Sequence, residues 1–159
     1  MDPLSWLYAR QGRFAPGLER IRAFLARLGH PEEAYPVALV GGTNGKGTTA
    51  RALAAILEEA GFRVGLYTSP HLVDFRERIQ VQGRPIPEEK LLALLAELRP
   101  HAERLEASFF EVATALALLL ALGAAYLLVA MLFHGAADQN LLPQWLEQTF
   151  GLPAASDAT

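Results

Sequence analysis

The chain contains no cysteine. This excludes disulfide staples, thiolate metal sites and cysteine nucleophiles, and it leads us to expect a cytoplasmic protein. Lysine is scarce, with two against twelve arginines, and neither cation occurs beyond Arg104, so the last 55 residues carry none. The net charge of −3 offers no electrostatic footprint for nucleic acid as a partner. Met1-Asp2-Pro3-Leu4 lacks a basic segment followed by an apolar core, so no signal peptide is expected. No internal repeat is visible. Against these absences stands a hydrophobic fraction of 52% over 159 residues, enough for one domain with a substantial core.

Periodicity gives the outline. Residues 14–29 read as an amphipathic helix, with Leu18, Ile21, Leu25 and Leu28 on one face and Gly29 as its stop. Pro36 opens a strand at Val37–Val40. A helix over 48–60 uses Leu53, Ile56, Leu57 and Ala60 and ends at Gly61, and Val64–Tyr67 reads as a second strand. Ile79-Gln80-Val81 alternates into Gly83, and Arg84-Pro85-Ile86-Pro87 interrupts it. Pro87 with Glu88 and Glu89 starts another helix, carrying Leu91, Leu92, Leu95 and Leu98 and stopping before Pro100. A further helix starts near Ser108. Val112 through Phe133 is 22 residues without a charge, long enough to span a bilayer. Its alanine content, the break at Gly123-Ala124-Ala125 and the lack of flanking Lys or Arg favour a buried helix followed by a buried strand. Residues 151–159 read as a frayed tail.

The chemistry concentrates in Gly41-Gly42-Thr43-Asn44-Gly45-Lys46-Gly47-Thr48-Thr49, directly after the first strand. Strand, glycine-rich turn and helix start form a phosphate cradle, because glycines let backbone N–H groups converge on an anion at the positive end of the helix. With the second strand parallel to the first, the segment is a βαβ unit. Lys46 reaches the outer phosphates in such a turn, and Thr48 or Thr49 places a hydroxyl on Mg²⁺. The usual pattern is broken twice: Val40 stands where the first glycine belongs, and Gly47 separates lysine from hydroxyl.

With Gly47 after the lysine, Gly42–Thr48 resembles the ATP loop of folylpolyglutamate synthase and dihydrofolate synthase, members of the wider Mur ligase superfamily. Tyr67-Thr68-Ser69-Pro70-His71-Leu72, then Phe75, then Glu77-Arg78-Ile79, is similar to that family's folate-side loop. Phe14-Ala15-Pro16-Gly17-Leu18-Glu19-Arg20-Ile21 resembles its N-terminal helix, and Ser108-Phe109-Phe110-Glu111 with Thr114-Ala115 resembles its pterin-contacting helix start. The four motifs follow in family order over residues 14 to about 120. Beyond them the likeness stops. Leu128 through Asn140 lacks the family's glutamate metal ligand and paired glycines, and Asp138 and Asn140 are a faint echo of its pattern. His134 near Asp138 carries no weight as a metal pair.

The resemblance implies an α/β fold: a P-loop nucleotide-binding domain of Mur-ligase type with a mostly parallel sheet, incomplete. It divides the chain into 1–140, the N-terminal part of the ATP-binding domain, and 141–159, a divergent tail, with the C-terminal ligase domain absent. Either a shifted reading frame or true divergence accounts for the tail, and the abrupt loss of Lys and Arg favours the first. The implied activity is ATP-dependent ligation of L-glutamate onto folate or dihydropteroate through an acyl phosphate, with Mg²⁺ as cofactor; this chain, a monomer, is expected to bind nucleotide without turnover. Gly42, Thr43, Asn44, Gly45, Lys46, Gly47, Thr48 and Thr49 would hold ATP, with Lys46 catalytic. Thr48 and Ser69 would hold the metal, while Thr68, Ser69, Pro70, His71, Phe75, Arg78, Ser108, Phe109, Phe110 and Glu111 would face the folate.

Each assignment has a plainer counterpart. Thr48 could be a helix N-cap, Ser69 a turn former, His71 an ordinary loop residue and Glu111 a favourable charge in a first helical turn. Glu77 and Arg78 are expected to pair and order their loop. Two other functions also fit: a non-catalytic P-loop nucleotide-binding module, and a membrane-associated protein using Val112–Phe133.

Overall fold

In the computed structural model, residues 1–13, 16–124 and 127–131 are described. Five strands form one sheet in the order β1-β5-β2-β3-β4: β1 is Val37–Val40, β2 Val64–Tyr67, β3 Ile79–Val81, β4 Arg84–Pro85 and β5 Leu127–Met131. β5 lies between β1 and β2, parallel to both, with Val37 opposite Leu128 and Val64 opposite Leu127. The last two strands form an antiparallel hairpin on β2, Tyr67 facing Ile79. The uncharged run after Val112 thereby becomes helix α5 (Phe109–Ala124) and the central strand β5, and a strand paired on both sides between covering helices is where a continuous apolar segment belongs. Among the described residues no helix is long and apolar enough to cross a membrane.

Alternation along β2 sorts the two faces. Val64 and Leu66 pack with Ala50 and Ala54 of helix α3 (Lys46–Glu59). Tyr67 points the other way, into a larger core shared by α1 (Pro3–Tyr8), α2 (Glu19–Arg27), α4 (Glu88–Arg104) and α5, and its hydroxyl lies 3.4 Å from Thr114 Oγ1.

Beyond the earlier start of α3 at Lys46, the helices depart from the sequence expectations in three places. The first amphipathic helix begins at Glu19 rather than Phe14: Pro16–Leu18 form a bend in which Gly17 takes φ +103°. Phe14 and Ala15 lie outside the described residues, as do His134, Asp138 and the tail. Helix α4 does not stop before Pro100 but continues to Arg104. Proline in a helix interior costs about 3 kcal/mol. Leu91, Leu95 and Leu98 on one side of it and Ala102 on the other are fully buried, and Glu103 accepts from Trp6 Nε1 at 3.0 Å and Arg99 Nε at 2.8 Å. Packing on both flanks outweighs the proline. Third, α1 was not foreseen; Asp2 caps it by accepting from Leu4 N and Ser5 N, with proline at its first position.

The start of α5 is the most heavily tied helix end. Ser108 and Glu111 form a reciprocal cap: Ser108 N and Oγ donate to Glu111 Oε2, both at 2.7 Å, and Glu111 N donates to Ser108 Oγ at 3.3 Å. Arg20 reaches across from α2 to the same carboxylate, Nη2 to Oε2 at 2.8 Å. Burial pushes the Glu111 carboxyl up, but Arg20 and Ser108 outweigh it and hold it below its ordinary 4.5. A depressed carboxyl stabilises the fold above its unfolded value and loses that contribution as pH falls through its folded value. Glu111→Gln should therefore lower stability near neutrality and flatten the loss of stability below about pH 4.5, measured by urea unfolding across pH 3–7.

Candidate functional site: the carboxyl edge of the parallel strands

Both loops singled out from the sequence leave the same edge of the sheet. After β1 the chain turns through Gly41–Gly45 into α3. Gly45 caps this helix in the left-handed region, φ +75°, accepting from Thr49 N at 2.9 Å. A side chain there would be strained, so glycine is what lets the turn close directly onto the helix. Residues Gly41–Gly45, Thr48 and Thr49 are exposed. Lys46 folds over the turn, its Nζ donating to Gly42 O at 2.5 Å and Thr43 O at 3.2 Å. α3 starts two residues before the expected 48, so Thr48 is its third residue and not its N-cap.

After β2 come Thr68 and Ser69, whose hydroxyl oxygens are buried without a hydrogen-bond partner. A buried hydroxyl without a partner is costly, and two in succession at a strand's carboxyl end offer oxygen donors of the kind a hard cation takes. β5 separates this loop from the glycine turn, so the strand exits stand two sheet spacings, roughly 10 Å, apart.

The rest of the second loop is locked from within. Glu77 accepts the backbone N–H groups of Leu72, Val73 and Asp74 at 2.8–2.9 Å, and those bonds hold its carboxyl below the ordinary value. Asp74 caps the turn Phe75–Arg78 and pairs with Arg76 at 2.6 Å. Glu77 and Arg78 were expected to pair; instead each holds a different part of the loop. Adjacent side chains in this tight turn diverge, so Arg78 Nε donates to His71 Nδ1 at 2.7 Å. Burial and the Arg78 charge push the His71 imidazole below its ordinary value. The held loop displays Leu72 and Val73, 89% and 92% exposed.

His71, Phe75, Arg78 and Phe109 come together with Tyr8. Tyr8 stacks on Phe109 with centroids 5.8 Å apart, and Phe75 meets Phe109 edge-on at 5.9 Å. The Arg78 guanidinium sits 5.2 Å from the Phe109 ring and 5.9 Å from Phe75, and Tyr8 Oη lies 3.2 Å from His71 Nε2. Phe110 is 38% exposed beside them. Glu111 is turned inward to Ser108 and Arg20, which makes it part of the support for Phe109 and Phe110. Its cap was legible as Ser-x-x-Glu before an apolar run. Arg20 lay inside a recognised motif without a role, and Tyr8, alone on a short helix, carried no local signal.

No protein-family model matches the chain. It is 42% identical over 125 residues to the Bacillus subtilis dihydrofolate synthase/folylpolyglutamate synthase, covering 74% of this chain and 29% of that protein. Among solved structures, Thermotoga maritima folylpolyglutamate synthase superposes with a TM-score of 0.77 at 40% identity, over 83% of this chain and 32% of that one. Escherichia coli FolC in complex with DHPP and ADP gives 0.76 at 38% identity, over 86% and 34%. A bifunctional folylpolyglutamate synthase/dihydrofolate synthase with Mn, AMPPNP and L-glutamate bound gives 0.76 at 33%, over 86% and 34%. The chain thus spans about a third of the length of the proteins it matches. By sequence and by fold together, it belongs with the folylpolyglutamate synthase/dihydrofolate synthase family.

Proposed function

We propose that the chain carries the nucleotide side and the acceptor side of an ATP-dependent ligase that joins L-glutamate to folate or dihydropteroate. The observation that supports this best is the shared carboxyl edge: the glycine-lysine turn leaves β1, and the Thr-Ser-Pro-His-Leu loop leaves β2, on one side of the parallel strands. Open α/β sheets bind their ligands at this edge. The ADP, AMPPNP, DHPP and L-glutamate held by the solved relatives are chemically matched to such a pair of loops.

The backbone N–H groups of residues 42–47 and the positive end of α3 receive the β- and γ-phosphates. Lys46 exchanges the carbonyls of Gly42 and Thr43 for phosphate oxygens and offsets the charge of the transferring phosphoryl group. An acceptor carboxylate oxygen attacks the γ-phosphorus, forming an acyl phosphate and releasing ADP. The glutamate amine then attacks the acyl carbon, phosphate leaves with the bonding pair, and the amine loses its proton as the amide forms. No side-chain nucleophile is required, in keeping with a chain that has no cysteine. Thr48 and the unpartnered hydroxyls of Ser69 and Thr68 suit Mg²⁺, which when bound would neutralise phosphate charge. On the acceptor side, exposed Leu72, Val73 and Phe110 give a flat heteroaromatic ring an apolar surface, backed by the Tyr8–Phe75–Phe109 cluster.

Two measurements test this reading. The chain should bind AMPPNP and dihydropteroate in titration calorimetry, and Lys46→Ala should weaken AMPPNP by ~10- to 100-fold, the loss of one charge-assisted contact, with little change in thermal midpoint. Nucleotide binding without dihydropteroate binding would instead favour a bare P-loop module. Ser69→Ala should reduce the gain in AMPPNP affinity on adding Mg²⁺ while leaving the affinity in EDTA unchanged; an undiminished magnesium effect removes Ser69 from the metal.

A further inference from the structure

We propose that Tyr8 is a positioning residue for the acceptor side of the site, holding the loop after β2 against the start of α5; this rests on the ligase reading above. Helix α1 is placed without help from Tyr8. Trp6 Nε1 donates to Glu103 at 3.0 Å, and the buried Arg10 donates to the carbonyls of Ala107 at 2.6 Å and Ala102 at 3.0 Å. The Arg10 carbonyl in turn accepts from Phe109 N at 3.3 Å. These bonds fix α1 on the corner between α4 and α5. Tyr8, the last residue of α1, then projects between two structures that the chain separates widely, the His71 loop and Phe109.

The hydrogen-bond directions follow from chemistry. Arginine only donates, so the bond from Arg78 Nε claims the lone pair of His71 Nδ1. The neutral imidazole must then carry its proton on Nε2, and Nε2–H donates to Tyr8 Oη at 3.2 Å. Arg78 thus selects the tautomer and Tyr8 receives it, so together they set the ring plane of His71. The next residue, Leu72, is presented to solvent. The Tyr8 ring stacks on Phe109 at 5.8 Å and 21°, and the next residue there is the exposed Phe110. Beside the direct contacts of Phe75 and Arg78 with Phe109, Tyr8 therefore helps to set the spacing of the two apolar surfaces offered to the acceptor. Its contacts are to His71, Phe75 and Phe109, none of which belongs to the 41–49 turn.

The test compares the whole chain with Tyr8→Phe, which keeps the ring and removes the acceptor oxygen, and with Tyr8→Leu, which removes both. Dihydropteroate and AMPPNP affinities are measured by calorimetry, and the His71 tautomer by imidazole ¹⁵N shifts. Tyr8→Phe should weaken dihydropteroate about fivefold, the scale of one neutral hydrogen bond, and move the His71 Nε2 resonance as Nε2–H loses its acceptor, while the tautomer stays Nε2–H because Arg78 still claims Nδ1. Tyr8→Leu should weaken dihydropteroate further, with AMPPNP affinity unchanged in both. Dihydropteroate affinity that survives both substitutions overturns the proposal, as does a parallel loss of both ligands, which would make Tyr8 merely structural. A wild-type chain that binds AMPPNP but no dihydropteroate overturns the ligase reading and this inference with it, and is told apart by the absence of wild-type binding.

Discussion

The insertion of β5 between β1 and β2 is the constraint on which the remaining arrangement depends. Parallel strands cannot be joined by a tight turn; each needs a crossover. The crossover through α3 returns β2 one strand away from β1, and β5 fills the gap with ladder bonds on both sides. All three strands then point the same way, so the segments after β1 and β2 leave at one edge. Helix α5 feeds β5 and so runs back toward that edge with its first turn, which brings Phe109 into contact with Tyr8, Phe75 and Arg78.

Within that frame the charged groups divide into two kinds. Glu77 was expected to order its loop and Glu111 to face the folate, and in the structure both bond inward. Glu77 gathers three N–H groups of the loop, and Glu111 caps α5 and takes Arg20. These inward bonds order the two segments at little cost in exposed charge. Lys46 is different: its partners are carbonyls of the turn it serves, and such bonds are readily exchanged for stronger ones to an anion. Thr68 and Ser69 are different again, because their hydroxyls are buried with no partner at all. This edge of the sheet therefore combines internally bonded supports with two buried hydroxyls that lack a hydrogen-bond partner.

Much of this was legible locally. β1, the glycine-lysine turn, α3 and β2 follow from a short apolar run, a glycine cluster and a helical period ended by Gly61. The uncharged stretch after Val112 resolves into helix and strand as expected, the helix continuing through Gly123 to Ala124. The motif at 67–79 named most of the residues that the fold brings together. Each of these signals lies in one contiguous stretch, where backbone preference and side-chain period act directly.

What local signals could not give was decided by partners distant in sequence. Pro100 reads as a stop, and only the burial of Leu98 and Ala102 against other helices carries α4 through it. Glu111 has two local readings, and neither foretells its bond to Arg20, 91 residues away. Tyr8 has no local reading at all and acquires one when α1 docks beside His71 and Phe109. The sequence by itself determined most of the elements, the glycine-lysine turn and the family, since those are written in contiguous residues. Which partners Glu77 and Glu111 take, which hydroxyls lie buried without a partner, and which rings Tyr8 meets were decided only by tertiary packing, because burial and hydrogen-bond competition exist only once the elements meet.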